Sequence, residues 1–209
     1  MLQLTQAPFA KGGHRAIYFH PENAQQCIKV MMAASTPQMK KAKAPWWKRF
    51  KNLDSFDDNF EEHQVLRHIE NWAPAIIGKH IPACYGFIET SQGKGLITDV
   101  YRDFDDNISP NLLSFLEKNG DQFGLMSAIE EFQQSIYHHQ ILSRALLLHN
   151  IVVQRQSQNV CRLFLIDGIG NPEFIPISSY FFLTRKLKIK RKIKKMKKQV
   201  GMVLRGEPL

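Results

Sequence analysis

Apolar positions along the chain change their period several times. Ala16-Ile17-Tyr18-Phe19 and Cys27-Ile28-Lys29-Val30 are short β-prone runs separated by Pro21-Glu22-Asn23. Runs of that length bounded by turn residues predict two strands, entered through the turn Lys11-Gly12-Gly13-His14. Period two puts Cys27 and Lys29 on one face and Ile28 and Val30 on the other. From Asp57 and Asp58, good helix-capping residues, the period becomes helical, with Val65, Leu66, Ile69 and Trp72 as the buried stripe. Glu62 precedes the first three by three, four and seven residues, on that stripe or at its edge in water. Ile88-Glu89 and Leu96 to Val100 predict a hairpin around Ser91 to Gly95. Ser109-Pro110 predicts a helix start, and Phe123 to Ile141 a longer helix with Ile129, Phe132 and Ile136 on one face. Residues 37 to 53 read as a polar loop. Finally, Asn150 to Val153 and Val160 to Asp167 flank a polar run, which predicts an antiparallel hairpin. No internal repeat is visible.

Composition places these elements in one globular unit or two small lobes: 209 residues, 44% hydrophobic. No run approaches the roughly 20 apolar residues that span a bilayer. The first residues lack a basic region followed by an apolar core, so no secretory signal is expected. Cys27, Cys84 and Cys161 have neither metal spacing nor a disulfide pattern, which suits a reducing cytoplasm. The net charge of +9 is concentrated: Arg185 to Lys198 holds ten Lys or Arg and no acid, leaving 18 basic against 19 acidic residues elsewhere. As a helix this tail aligns Ile189, Ile193, Met196 and Val200 among lysines. Such a helix suits an anionic membrane surface or nucleic acid, or is simply solvated or packed on the core.

Four groups of residues carry candidate chemistry. Lys29 in a short apolar strand needs a partner or a cleft, and an acid on a buried helix face, Glu62, needs a partner in turn, which makes the two obvious candidates for each other. Gly12-Gly13 either lets backbone N–H groups approach phosphate or makes a tight turn. Asn150 and Asp167 meet at the open end of their hairpin, where an amide and a carboxylate suit a hard cation such as Mg²⁺ or are simply polar ends. Trp46-Trp47, among Lys40, Lys41, Lys43, Lys48, Arg49 and Lys51, suits a membrane interface or base stacking, or one ring packs on the domain. The histidines are poorly spaced for a metal: His138 and His139 are adjacent, His63 and His68 five apart.

Taken in order, glycine turn, strand lysine, helix glutamate, hairpin, linker, helices and an Asn-to-Asp hairpin are similar to a protein-kinase-like fold. More closely, the chain resembles the PhoP regulatory network protein (YrbL) family. The resemblance lies in Gly13 to Val30, Ile81-Pro82 with Tyr85-Gly86, Asp99-Val100 with Asp103-Phe104-Asp105, Asn150-Ile151, and Asp167-Gly168-Ile169-Gly170 with Ile175-Pro176. It implies an α+β, two-lobed fold: residues 1–98 an N-lobe, 99–107 a hinge, 108–183 a reduced helical C-lobe and 184–209 a basic amphipathic tail. It also implies ATP and Mg²⁺ as cofactors. Lys29 would hold phosphates with Glu62 as its partner, Gly12 and Gly13 would form the phosphate turn, and Cys27 would line the adenine pocket. Asp99, Val100 and Tyr101 would form the hinge that reads adenine, and Asn150 and Asp167 would bind the metal.

The chain departs from kinases where chemistry is done. The catalytic-loop window reads Ser143-Arg144-Ala145-Leu146-Leu147-Leu148-His149-Asn150, with alanine in place of the proton-accepting aspartate of His-Arg-Asp-x-x-x-x-Asn. A general base is worth about 10²- to 10⁴-fold. Arg144 keeps its place, and His149 is the only nearby substitute base, directed elsewhere by its adjacency to Asn150. About 40 residues follow Asp167, too few for a peptide-docking lobe, and there is no Ala-Pro-Glu motif or long activation segment. The expectation is a nucleotide-binding pseudokinase with a regulatory or scaffolding role at the cytoplasmic membrane surface of a bacterium. Trp46, Trp47, Lys186, Lys190, Lys194 and Lys197 would be the contacts to membrane or polyanion. The alternatives are an atypical phosphotransferase acting on an envelope glycolipid or other small acceptor, and a nucleic-acid-binding protein working through the tail.

Overall fold

A computed structural model of the chain describes residues 1–144, 146–170 and 182–208, with side chains from residue 184 in the last stretch. Ala145, Ile175-Pro176, Phe181 and the stretch where an activation segment would begin lie outside the described residues, as do the side chains of Phe182 and Leu183. The chain is α+β, as expected, and divides into two compact units: Met1–His68 with Ala83–Val100, and Ile69–Pro82 with Tyr101–Leu209.

The first unit is built on a five-stranded antiparallel sheet. Its strands are β1 (Ala10–Lys11), β2 (Arg15–His20), β3 (Asn23–Met31), β4 (Cys84–Thr90) and β5 (Gly93–Asp99), in the order β1-β2-β3-β5-β4. The turns fall where the polar breaks predict them, at Pro21-Glu22 and Ser91-Gln92. Lys29 sits mid-sheet, opposite Ile17 on one side and Leu96 on the other. Ile28, Val30 and Ile97 bury the opposite face with Leu4, as period two requires. Gly95 is needed for that packing, because a Cβ there would collide with the Ile28 Cγ2 methyl.

Residues 37–53 are more regular than a polar loop. Helix α1 (Pro37–Lys43) starts under Thr36, whose hydroxyl accepts from the Met39 N–H, with proline in the first turn and three lysines in the last. Those are the start and stop preferences of a helix, in a segment too polar to show an apolar stripe. Helix α2 (Asp58–Trp72) is capped by Asp57, which accepts from the N–H groups of Asn59 and Phe60. Leu66 and Ile69 are buried, Val65 partly so, whereas Trp72 lies 42% exposed beneath the Arg185 guanidinium. A large ring at the last turn thus ends the stripe on the surface.

The second unit holds α3 (Leu112–Asn119), α4 (Leu125–His138), the hairpin β6 (Ile151–Arg155) with β7 (Cys161–Leu165), and α5 (Phe182–Leu204). The first helix begins two residues later than Ser109-Pro110 implies. Asn111 caps it by accepting from Ser114 N–H, while Ser109 donates its hydroxyl to the buried Asp103. A stronger partner has taken the serine away from capping. In α4, Ile129, Phe132 and Ile136 are buried as expected. Helix α5 packs against α3, α4 and the 3-10 turn Leu148–Asn150. Ile189, Met196 and Val200 are buried and Ile193 half-buried. The apolar stripe therefore faces the unit's own core.

Candidate functional site

Lys29 meets its predicted partner. Its Nζ lies 2.6 Å from Glu62 Oε1, and both side chains are less than a tenth exposed. A buried acid and a buried base are costly singly and tolerable together when their hydrogen bonds are satisfied. The second Glu62 oxygen is taken by Arg15, whose Nη1 donates to Oε2 and, at 3.3 Å, to Asn59 Oδ1. Asn59 in turn donates to the Lys29 backbone carbonyl at 2.8 Å. Burial alone would raise the Glu62 carboxyl, but Lys29 and then Arg15 prevail and hold it down to about 2.

Sequence reasoning missed Arg15 and Asn59, though the register carried a signal. Ile17 faces Lys29 across β2 and β3. Arg15, two residues earlier on the same strand face, is thereby directed to the same side. Asn59, one residue inside the helix, reads in isolation as ordinary cap chemistry.

The remaining first-unit residues are placed less simply. Gly12 N–H donates to the Arg15 carbonyl at 2.9 Å, and neither Gly12 nor Gly13 takes a positive φ. The geometry is that of a tight hairpin turn with one donor already engaged. Cys27 is buried, its thiol within hydrogen-bond range of Thr98 Oγ1 and the Asp99 carbonyl; burial pushes the thiol up, so it stays neutral. Asp99 N–H bonds Ala83 O and Val100 N–H bonds Gln25 O. The N–H groups of Asp99 and Val100, in the stretch expected to read adenine, are thus engaged within the first unit. The Asp99 carboxylate accepts from Ala83 N–H and the Tyr85 hydroxyl, each at 2.8 Å.

In the second unit Tyr101 stacks on Phe164, with ring centroids 3.7 Å apart. Ile151 pairs with Leu165, and Ile166 N–H donates to the Asn150 carbonyl at 2.9 Å. The hairpin therefore brings Asn150 beside the Ile166-Asp167 end. Asp167 is exposed, and its Oδ1 accepts from Gly168 N–H at 2.7 Å. A second tether joins residues 142–144 to this end: Arg144 N–H donates to Gly168 O at 2.6 Å and Gly170 N–H to Leu142 O at 2.9 Å. His149 is exposed between the buried Leu148 and half-buried Asn150. One amide and one exposed carboxylate suit Mg²⁺, which commonly completes its shell with water and substrate phosphate. Among the described residues no group of three or more His, Cys, Asp or Glu could hold a metal by itself.

Of the other predicted contacts, Trp46 and Trp47 are exposed, as are Lys190, Lys194 and Lys197. Lys186 and Lys190 lie with their ammonium groups 5.7 and 5.5 Å from the centroid of the Tyr137 ring. Among the described residues no helix is long and apolar enough to cross a membrane.

A strand lysine joined to a helix glutamate, followed along the chain by an asparagine-to-aspartate hairpin, follows the order in which a protein kinase places these residue types. More narrowly, the chain belongs to the family of PhoP regulatory network protein YrbL, whose model matches residues 2–201. It is 27% identical over 184 residues to the YrbL proteins of Escherichia coli (strain K12) and Shigella flexneri, covering 86% of this chain and 79% of each relative. Two crystal structures of mutants of the Mycobacterium tuberculosis PknI kinase domain are also similar, at 17% and 15% identity with TM-scores of 0.43 and 0.44. The matches cover 79% and 78% of this chain but only 59% and 56% of those kinase domains.

Proposed function

We propose that the chain is a nucleotide-binding pseudokinase, which acts through the state of a bound ATP·Mg²⁺ rather than by transferring its phosphate. The observation that carries the reading is the buried Lys29–Glu62 pair at 2.6 Å. In kinases that pair holds the lysine against the α- and β-phosphates. Here Lys29 would hold phosphates, and Asn150 and Asp167 would hold Mg²⁺. Ala145, where a kinase has its aspartate, supplies no proton acceptor. That loss is why binding, with a regulatory or scaffolding output, is favoured over catalysis.

Thermal stabilisation by ATP, with and without Mg²⁺, tests the reading. Wild type should be stabilised in a metal-dependent way, by RT ln(1 + [ATP]/Kd). Lys29→Ala and Asp167→Ala should both lose the metal-dependent shift. Wild type without any shift overturns the nucleotide site. Transfer of labelled phosphate to a membrane extract would replace the pseudokinase with the phosphotransferase alternative.

A further inference from the structure

We propose that residues 37–53 of the first unit form a docking surface for an anionic lipid bilayer, with Trp46, Trp47 and Phe50 entering the headgroup layer. This inference is independent of the nucleotide reading. Every residue from Pro45 to Ser55 is exposed, yet the stretch holds three large aromatics: Trp46 is 71% exposed, Trp47 55% and Phe50 83%. Met39 and Leu53 are exposed beside them in sequence. A single exposed apolar residue needs no explanation, but a group in one short segment marks an interaction surface.

The segment is built to present these rings. Thr36 caps α1, Pro45 O accepts from Lys48 N–H at 2.9 Å, and Arg49 Nε donates back to Ala44 O at 2.8 Å. Lys40 pins the segment to α2 through Asp58 Oδ2 at 2.5 Å. A 3-10 turn, Trp46–Lys48, carries the two indoles on adjacent positions.

Charge selects the occupant. Residues 37–53 contain Lys40, Lys41, Lys43, Lys48, Arg49 and Lys51 and no acid. Indoles prefer the level of lipid headgroups, where ring and N–H are both accommodated, and neighbouring cations gain from anionic lipid phosphates. Successive bases of a nucleic acid stack on open ring faces. The two indoles instead meet edge to face, at 86° with centroids 6.0 Å apart, and methionine and leucine offer no stacking plane. The rival cationic helix α5 lacks the apolar half of such a surface, because its stripe is buried.

The test is flotation of the full chain with vesicles of phosphatidylcholine alone and of phosphatidylcholine with phosphatidylglycerol. Indole emission is read in a Trp72→Phe background, so that only Trp46 and Trp47 report. Binding should require phosphatidylglycerol, weaken with salt, and shift the emission to the blue. The triple variant Trp46→Ser/Trp47→Ser/Phe50→Ser should keep its melting temperature and bind roughly tenfold more weakly or worse, since buried ring area drives the insertion. A variant with Lys190, Lys194 and Lys197 changed to Gln should keep the blue shift. Absence of binding to the anionic vesicles, or equal binding by the triple variant, overturns the proposal. So does loss of binding in the α5 variant alone, or duplex DNA that displaces the vesicles and depends on the same three rings.

Discussion

Glu62 shows how one residue ties strand, helix and pH together. Its carboxyl is held at about 2 against an ordinary 4.5, so the folded state keeps it ionised while the unfolded chain takes up a proton. The folded value is depressed; the contribution is therefore complete above about pH 4.5 and lost as pH falls from there towards 2. By linkage this amounts to roughly 3 kcal/mol. Urea titrations across that window should show wild-type stability falling steeply. Glu62→Gln should start several kcal/mol lower, because it leaves Lys29 and Arg15 buried without their shared counter-charge, and fall less. Gly95 works by absence. Gly95→Ala should cost about 1–3 kcal/mol in equilibrium unfolding, since the added methyl meets the fully buried Ile28 and β3 must shift.

At the scale of elements, α5 changes meaning most. Its ten cations suggest a detachable tail, yet one of them is an internal brace. Lys192 Nζ donates to the carbonyls of both Ser143 and Arg144, directly ahead of Ala145 in the sequence. Lys192→Met keeps most of the packing and removes the donor that the two carbonyls share, one of them part-buried. It should lower stability by about 1–2 kcal/mol and speed amide exchange over residues 142–150, whereas the exposed Lys195→Gln should stay within about 0.5 kcal/mol. The cationic side of α5 stays in water at Lys190, Arg191, Lys194, Lys195, Lys197 and Lys198. The helix is thus a core element with a charged outer face, and charge alone cannot distinguish the two roles.

At the scale of the molecule, each unit has its own apolar core and one half of the candidate chemistry. Leu4 packs with Ile28, Val30 and Ile97 on one face of the sheet that carries Lys29; Tyr101 packs with Val152 and Phe164 of the hairpin that ends at Asp167. The two halves predict separable defects. In the ATP stabilisation measurement, Lys29→Ala should remove the shift with or without Mg²⁺, while Asp167→Ala should remove mainly its metal-dependent part. His80 anchors residues 69–82 within the second unit: its carbonyl accepts from Leu165 N–H and its ring Nδ1 lies 2.9 Å from Leu163 O. Burial pushes this imidazole down, against the opposing pull of the Leu163 carbonyl and Glu131, so it is held neutral as a structural pin.

Local rules were enough for much of this. Period-two and helical spacing placed β2, β3, α2, α4 and the last hairpin, because burying one face of an element imposes its period on the sequence. Hairpin geometry likewise brought Asn150 to the end that carries Asp167, and a costly strand lysine called for Glu62. Local rules could not decide which partner wins when several compete. Ser109 bonds Asp103 and leaves the cap to Asn111; Glu62 takes Arg15 as well as Lys29; the Val100 N–H bonds Gln25. The amphipathic pattern of α5 and the tryptophan pair at 46–47 had the same ambiguity, since an apolar stripe reads alike whether it meets protein or lipid. Long-range packing separated them: the stripe found α3 and α4, while the tryptophans stayed in water.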